Sequence, residues 1–184
     1  MTSETQSKKQ EIFIKRNTKT ILVGAGGSGK DYAKKTCSDN KMLCDISYTT
    51  RPIRNGEIDG VDYHFITKEE FEDMIKKDEF LQFNMFGNGH YYGTSLKSWE
   101  ANEIFIFSPN VISLIKINKG RDFFDFVEIC YLNIKEDVRK NRLEARNDVD
   151  STERRLKTDK EDFANFFDYT QEVTDPFFFV KITN

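Results

Sequence analysis

Gly24-Ala25-Gly26-Gly27-Ser28-Gly29-Lys30-Asp31 joins small residues to one mobile cation, a combination suited to holding phosphate. Glycines allow positive φ and close approach, and successive unpaired backbone N–H groups make a cradle for an anion. Lys30 supplies a charge that a bare turn between two elements has no need of. In a second group, Arg51 and Arg54 lie three residues apart beside Ser47, Thr49 and Thr50. Guanidinium forks pair with two oxygens each while hydroxyls add donors, which suits a phosphate monoester. A third group, Arg142, Arg146 and Arg155, is spaced so that a helix and the loop after it present all three toward one site. Phosphoryl transfer needs such charge neutralisation more than covalent help. Arg139 and Arg154 read instead as an ordinary helix face paired with Glu144 and Glu153. A phosphate acceptor is already anionic near neutral pH, so His64 and His90 read as ordinary surface or pocket residues rather than as general bases.

The elements that must position these groups alternate along the chain. Thr20-Ile21-Leu22-Val23 is a short apolar strand leading into the glycine-rich turn, and Lys30 to about Cys37 forms a helix whose N-terminus faces the turn. Met42 to Thr49 resembles a second strand after the turn at Asp39-Asn40-Lys41. From Arg51 to about Ser95 the turn signals Asn55-Gly56, Asp59-Gly60 and Asn88-Gly89 separate short aromatic runs, which predicts a small antiparallel meander. One helix interrupts it: Thr67 with Glu70 forms a capping box, and Phe71, Met74 and Ile75 recur at helical spacing. Glu103–Phe107 and Phe126–Ile134 are further strands. Helices are expected after Ser108-Pro109-Asn110, from about Lys135 to Ala145 and from Thr152 to Phe167, with a polar loop at Arg146–Ser151. Glu11–Lys15 and Gln171–Thr174 are shorter strand candidates, and an apolar tail follows Asp175-Pro176. Strands alternating with helices around a phosphate loop indicate a parallel α/β sheet carrying the meander as an insert.

Composition narrows the partners. The 184 residues suffice for one well-buried domain with small inserts. A net charge of −3 argues against a general nucleic-acid binder, so anion recognition must come from local arginines. There is no run of about 18 apolar residues to span a membrane, and Met1–Gln10 lacks the apolar stretch of a secretion signal. Cys37, Cys44 and Cys130 are odd in number without metal-ligand spacing, as expected of reduced thiols in a cytoplasmic protein. The expected assembly is a monomer or a homodimer.

The run Ser47-Tyr48-Thr49-Thr50-Arg51-Pro52-Ile53-Arg54-Asn55-Gly56-Glu57-Ile58-Asp59-Gly60-Val61-Asp62-Tyr63-His64-Phe65, followed by Phe80-Leu81-Gln82-Phe83 and Tyr91-Tyr92-Gly93-Thr94, resembles the guanylate kinase family. The resemblance runs from the phosphate loop through Arg155. It implies a P-loop NTPase core of parallel sheet flanked by helices (residues 18–50 and 96–184), with a helical lid at about 146–155. It also implies a mixed α/β monophosphate-binding insert at 51–95, and residues 1–17 would form a flexible leader. ATP with Mg2+ would be the phosphoryl donor and a nucleoside monophosphate, GMP or dGMP foremost, the acceptor. Gly24, Ala25, Gly26, Gly27, Ser28, Gly29, Lys30 and Asp31 would bind ATP. Lys30, Arg142, Arg146 and Arg155 would act on the transferring phosphoryl group. Ser47, Arg51, Arg54, Tyr63 and Tyr92 would hold the acceptor phosphate, while Gln82 and Thr94 lie near its base.

Three departures accompany the resemblance. The family's base-binding glutamate falls on Gln82, and a carboxamide accepts on one atom and donates on the other. An extra residue before Tyr92 leaves room for a neighbour to take over that role. Two strand-end aspartates appear as Ile106 and Ser108, while Asp31 stands where the loop usually carries a hydroxyl on the metal, so Asp31 is the expected metal ligand. The chain past Asp175-Pro176 leaves little room for the family's last helix. Two alternatives stay open: a kinase with broader or different base choice, and a non-catalytic protein-binding module of the same fold. The presence of Lys30, Arg142, Arg146 and Arg155 favours an enzyme, since peptide binding does not need them.

Overall fold

The computed structural model describes residues 19–86, 89–111, 127–145, 152–164 and, for the backbone, 177–180. Two four-stranded sheets organise these residues. In the first, β1 (Lys19–Val23) lies between β6 (Ile104–Ile106) and β7 (Val127–Leu132), parallel to both. The edge strand β8 (Phe177–Val180) pairs antiparallel with β7. The expected strand Gln171–Thr174 and the candidate Glu11–Lys15 lie outside the described residues.

The period-two alternation of β1 sends its side chains to two apolar layers, as a parallel strand covered on both faces requires. Ile21 and Val23 pack with Phe105, Phe107, Val111, Ile129 and Tyr131, joined by Trp99 and Phe163. Leu22 packs on the opposite face with Ile104 and Leu132, against Ala33 and Cys37 of α1 (Lys30–Asp39). The cysteines are free and half-buried, and burial pushes the Cys44 and Cys130 thiols up to about 11.

The second sheet has the order β3-β2-β5-β4, formed by β2 (Tyr48–Thr49), β3 (His64–Phe65), β4 (Phe80–Met85) and β5 (Tyr91–Ser95). It is mixed rather than wholly antiparallel, because β3 runs parallel to β2. The chain between them, residues 50–63, turns twice, with Gly56 and Gly60 at positive φ. The expected strand Met42–Thr49 is divided. Cys44 bridges Ile104 at the edge of the first sheet, whereas Tyr48 and Thr49 pair with Gly93 and Tyr92 in the second. Asp45 sits at that crossing, only 2% exposed. A continuous strand would have to bury this carboxylate in an apolar layer, and the crossing instead brings it hydroxyl partners.

Helix α2 (Lys68–Lys76) begins with the expected capping box: Glu70 N–H donates to Thr67 Oγ1 at 3.1 Å and Thr67 N–H to Glu70 Oε2 at 2.8 Å. Such a cap contributes about 1 kcal/mol. Its Phe71 is fully buried and stacks on Phe80 and Tyr91. Burial of a ring of this size stabilises by about 1.5–3 kcal/mol. A register shift between Phe80 and Gln82 does the rest of the sorting. The bulge lets Phe80 and Phe83 both reach Phe71, while Gln82 and Asn84 share the other face, opposite Thr94 and Tyr92. Gly93 is needed here, since a Cβ would lie 2.9 Å from the rings of Phe71 and Phe80. Helix α3 (Leu96–Ala101) follows β5 and leads back to β6. Among the described residues, no helix is long and apolar enough to cross a membrane.

Candidate active site

The glycine-rich segment leaves the C-terminal end of β1 and enters α1, the strand-turn-helix geometry in which a helix N-terminus faces an anion. Gly29 caps α1 at φ 93°, and Gly27 has φ 76°. A Cβ on Gly27 would lie 2.7 Å from the Arg139 carbonyl oxygen. Helices α4 (Glu136–Ala145) and α5 (Thr152–Phe163) close over the segment. Gly26 N–H donates to both carboxylate oxygens of Asp159, each at 3.0 Å. Arg139 Nη1 bridges Asp159 Oδ2 at 2.9 Å and the Gly26 carbonyl at 3.1 Å, so this arginine is a scaffold for the loop. Arg142 Nη1 donates to the Gly27 carbonyl at 3.1 Å. Lys30 Nζ donates to the Gly24 and Ala25 carbonyls at 2.6 and 3.2 Å. Ser28 Oγ is buried within the loop with no hydrogen-bond partner among the described residues.

On the other side, Arg51 is fixed by a two-pronged contact with Glu57, Nη1 to Oε2 at 2.9 Å and Nη2 to Oε1 at 2.8 Å. Arg54 N–H also donates to Glu57 Oε2 at 2.8 Å, which ties the turn between β2 and β3 into one unit. Burial would push the Glu57 carboxyl up, but the Arg51 hydrogen bonds and the Arg54 backbone outweigh it and hold the group below its ordinary range. Burial likewise works against the Arg51 charge, and Glu57 and the Tyr92 phenol more than offset it. The Arg51 guanidinium lies over the rings of Tyr63 and Phe65, each 5.5 Å away. Burial first, then the charge of Asp31, pushes the Tyr63 phenol far above its ordinary pKa. Asp31 itself is exposed in the first turn of α1.

A cavity of about 300 Å³ joins the two sides. Lys30, Gly24 and Gly26 of the glycine-rich loop line it together with Arg54, Tyr63, Tyr92, Ser47 and Gln82. The segment 16–170 matches the family model described as guanylate kinase. The chain belongs to the guanylate kinase family. It is similar to the guanylate kinase of Sulfurimonas denitrificans, 35% identical over 158 residues, covering 81% of this chain and 75% of that protein. It is also similar to the guanylate kinase of Bacillus cereus, 32% identical over 169 residues, covering 86% and 81% respectively. The crystal structure of guanylate kinase from Anaplasma phagocytophilum shares the fold, with a TM-score of 0.57 at 20% identity over 83% of this chain and 74% of that one.

As a guanylate kinase-family chain, this one carries Ile106 and Ser108 in the cavity wall, so the β6 end offers the cavity no carboxylate there. Of the residues expected from sequence, Lys30, Ser47, Arg54, Tyr63, Gln82, Tyr92 and Arg155 line the cavity. Arg51 is not among the lining residues, its fork being held by Glu57, and Arg142 lies against the loop carbonyls. Arg146 falls outside the described residues. Thr94 is fully buried beneath the wall and accepts from Gln82 Nε2 at 3.2 Å. Sequence reasoning missed Lys34, Asp45, Asn84, Arg154 and Asp159 in the wall. Lys34 lies one helical turn beyond Lys30, a spacing that signals a shared face. Asn84 follows Gln82 by two in a strand, which signals a shared face once β4 is known to be a strand. Asp45 and Asp159 left no such signal.

Among the described residues, no group of three or more His, Cys, Asp or Glu side chains is arranged to hold a metal alone. Magnesium at nucleotide sites ordinarily takes one or two carboxylates together with phosphate oxygens and water. Asp31, in the first turn of α1 at the loop's exit, offers one carboxylate of that kind, although it is not among the residues that line the cavity.

Proposed function

We propose that this chain is an ATP-dependent kinase that transfers a phosphoryl group to a guanine nucleoside monophosphate, GMP or dGMP, yielding the diphosphate. The observation that carries the reading is that one cavity is lined both by a lysine-bearing phosphate loop and by Arg54, Tyr63, Tyr92, Ser47 and Gln82. In this reading the loop amides and Lys30 bind the donor's phosphates. Arg54, Tyr63 and Tyr92 orient the acceptor phosphate, with Arg51 stiffening the turn behind them. Arg155 with its neighbour Arg154, and Arg142 from α4, neutralise charge as the phosphoryl group passes between oxygens. Arg146 belongs to the same lid, proposed at about 146–155 over the core, with the acceptor-binding insert at 51–95. Asp31 would hold Mg2+, which supplies charge neutralisation across the donor phosphates. No protein base is required, because the attacking phosphate oxygen is already anionic.

Transfer rather than hydrolysis requires water to be kept from the reacting phosphorus, and closure of α5 over the loop supplies that exclusion. The test is diphosphate formation from GMP, dGMP, AMP, dTMP, UMP and CMP with ATP and magnesium. Turnover is expected with the guanine nucleotides first. Folded protein without turnover on any of them would sink the kinase reading in favour of a binding module.

A further inference from the structure

Asp45 is the most buried carboxylate in the cavity wall, and no part of the phosphoryl-transfer scheme uses it. Its backbone N–H is fixed to the Ile104 carbonyl at 2.8 Å, which anchors it to the rigid core sheet. Three hydroxyls point their hydrogens at it. Ser47 Oγ donates to Oδ2 at 2.5 Å, Thr94 Oγ1 donates to Oδ2 at 3.3 Å, and Ser98 Oγ donates to Oδ1.

A hydroxyl has one hydrogen and two lone pairs, so a hydrogen committed to Asp45 leaves only acceptor capacity for anything else. Thr94 Oγ1 uses some of that capacity on Gln82 Nε2 at 3.2 Å. This orients the carboxamide and leaves Gln82 Oε1 as an acceptor. The end of the cavity beyond the phosphate-binding wall therefore presents Ser47 Oγ, Gln82 Oε1 and the Asp45 carboxylate: chiefly acceptors. Guanine carries a ring N1–H beside an exocyclic N2 amine, two adjacent donors on one edge. Adenine and cytosine place a ring acceptor beside their amine, and uracil and thymine flank one ring N–H with carbonyls. The adjacent N1–H and N2 amine of guanine, rather than its O6 acceptor, are the complement of this acceptor-rich end.

We propose that Asp45 is a positioning residue for acceptor-base selection: by holding the Ser47 and Thr94 hydrogens it makes the base end of the cavity accept from the N1–H and N2 amine of guanine. It thereby supplies the carboxylate that Gln82 and Ser108 do not. The proposal rests on the reading of this cavity as a monophosphate site.

Binding is measured by calorimetry on the full chain with GMP, with IMP (the same base edge without the N2 amine) and with AMP, independently of turnover. One charge-assisted hydrogen bond makes GMP bind about tenfold more tightly than IMP. Asp45→Asn brings that ratio to within about threefold of unity while IMP affinity stays within about threefold of wild type. Adding Gln82→Glu to the Asp45→Asn chain restores the GMP preference by returning a carboxylate to the base end, while a merely structural role of Asp45 would lower GMP and IMP affinity together and leave their ratio unchanged. Thermal melts establish that each variant is folded; should Asp45→Asn not fold, the wild-type comparison of GMP with IMP and AMP decides alone. Equal wild-type affinity for GMP and IMP, or an unchanged ratio in folded Asp45→Asn protein, overturns the proposal. Selective GMP binding without turnover would overturn the kinase reading and leave the base selection standing. Turnover with equal use of GMP and AMP would do the reverse.

Discussion

At the phosphate loop, polar groups meet the chain's own residues: Gly26 N–H meets Asp159, Lys30 meets two loop carbonyls, and Arg139 and Arg142 cover two more. At the acceptor wall, polar groups are braced from behind and open in front. Arg51 is clamped by Glu57, Ser47 by Asp45, and Gln82 by Thr94, while Arg54, Tyr92 and Gln82 still border the cavity. The donor half thus has its loop occupied by a carboxylate of α5, and an incoming phosphate must replace Asp159 at the Gly26 amide. The acceptor half is already arranged before its ligand arrives, which lowers the ordering cost of binding.

Lys30→Ala separates the halves most sharply. Loss of one preorganised cation is expected to lower kcat by about 10²–10³. GMP affinity, set by the acceptor wall, stays within about twofold of wild type. Initial rates and calorimetry read the two effects, and an equal loss of GMP affinity would break the comparison. Gly93→Ala attacks the other half through packing. The new Cβ meets Phe71 and Phe80 at 2.9 Å, and the overpacking costs about 1–3 kcal/mol in urea unfolding.

Asp159→Asn probes the occupied loop. Without its charge the carboxamide competes less well with phosphate, so a fluorescent ATP analogue should bind a few-fold more tightly. Weakening the contact with Arg139 should at the same time lower stability by about 1–2 kcal/mol. Tighter binding with lower stability is the signature; weaker binding would mean that Asp159 supports the ligand instead. The smallest effect is a pH dependence of the Arg51–Glu57 turn. Glu57 has a folded-state pKa below its ordinary 4.5, so its contribution is fully present above that pH and is lost as pH falls through the lower folded value. GMP affinity should therefore fall more steeply with acid in wild type than in Glu57→Gln.

Much of this arrangement was legible in the sequence because it is local. The loop from Gly24 to Asp31, the capping box at Thr67 and Glu70, and the strands at residues 20–23, 104–106 and 127–132 each carry their signal within a few neighbouring residues. The parts that escaped depend on contacts made across the fold. Asp159 reaches Gly26 from 133 residues away, and Ser98 reaches Asp45 from 53. The Met42–Thr49 run looks like one apolar strand because the crossing between sheets is decided by partners at Ile104 and Gly93, not by its own composition. Arg51 and Arg54 looked equivalent as a pair of phosphate-binding forks. The Glu57 carboxylate distinguishes them by clamping the Arg51 fork and meeting Arg54 through its backbone N–H.

The central claim is that the two halves work on one phosphoryl group. ATP labelled in its γ-phosphate, incubated with GMP, magnesium and the full chain, tests it directly. The account predicts label in GDP, with little in inorganic phosphate and transfer slowed about 10²–10³-fold by Lys30→Ala. Label released only as inorganic phosphate, or none released by folded protein, would contradict it.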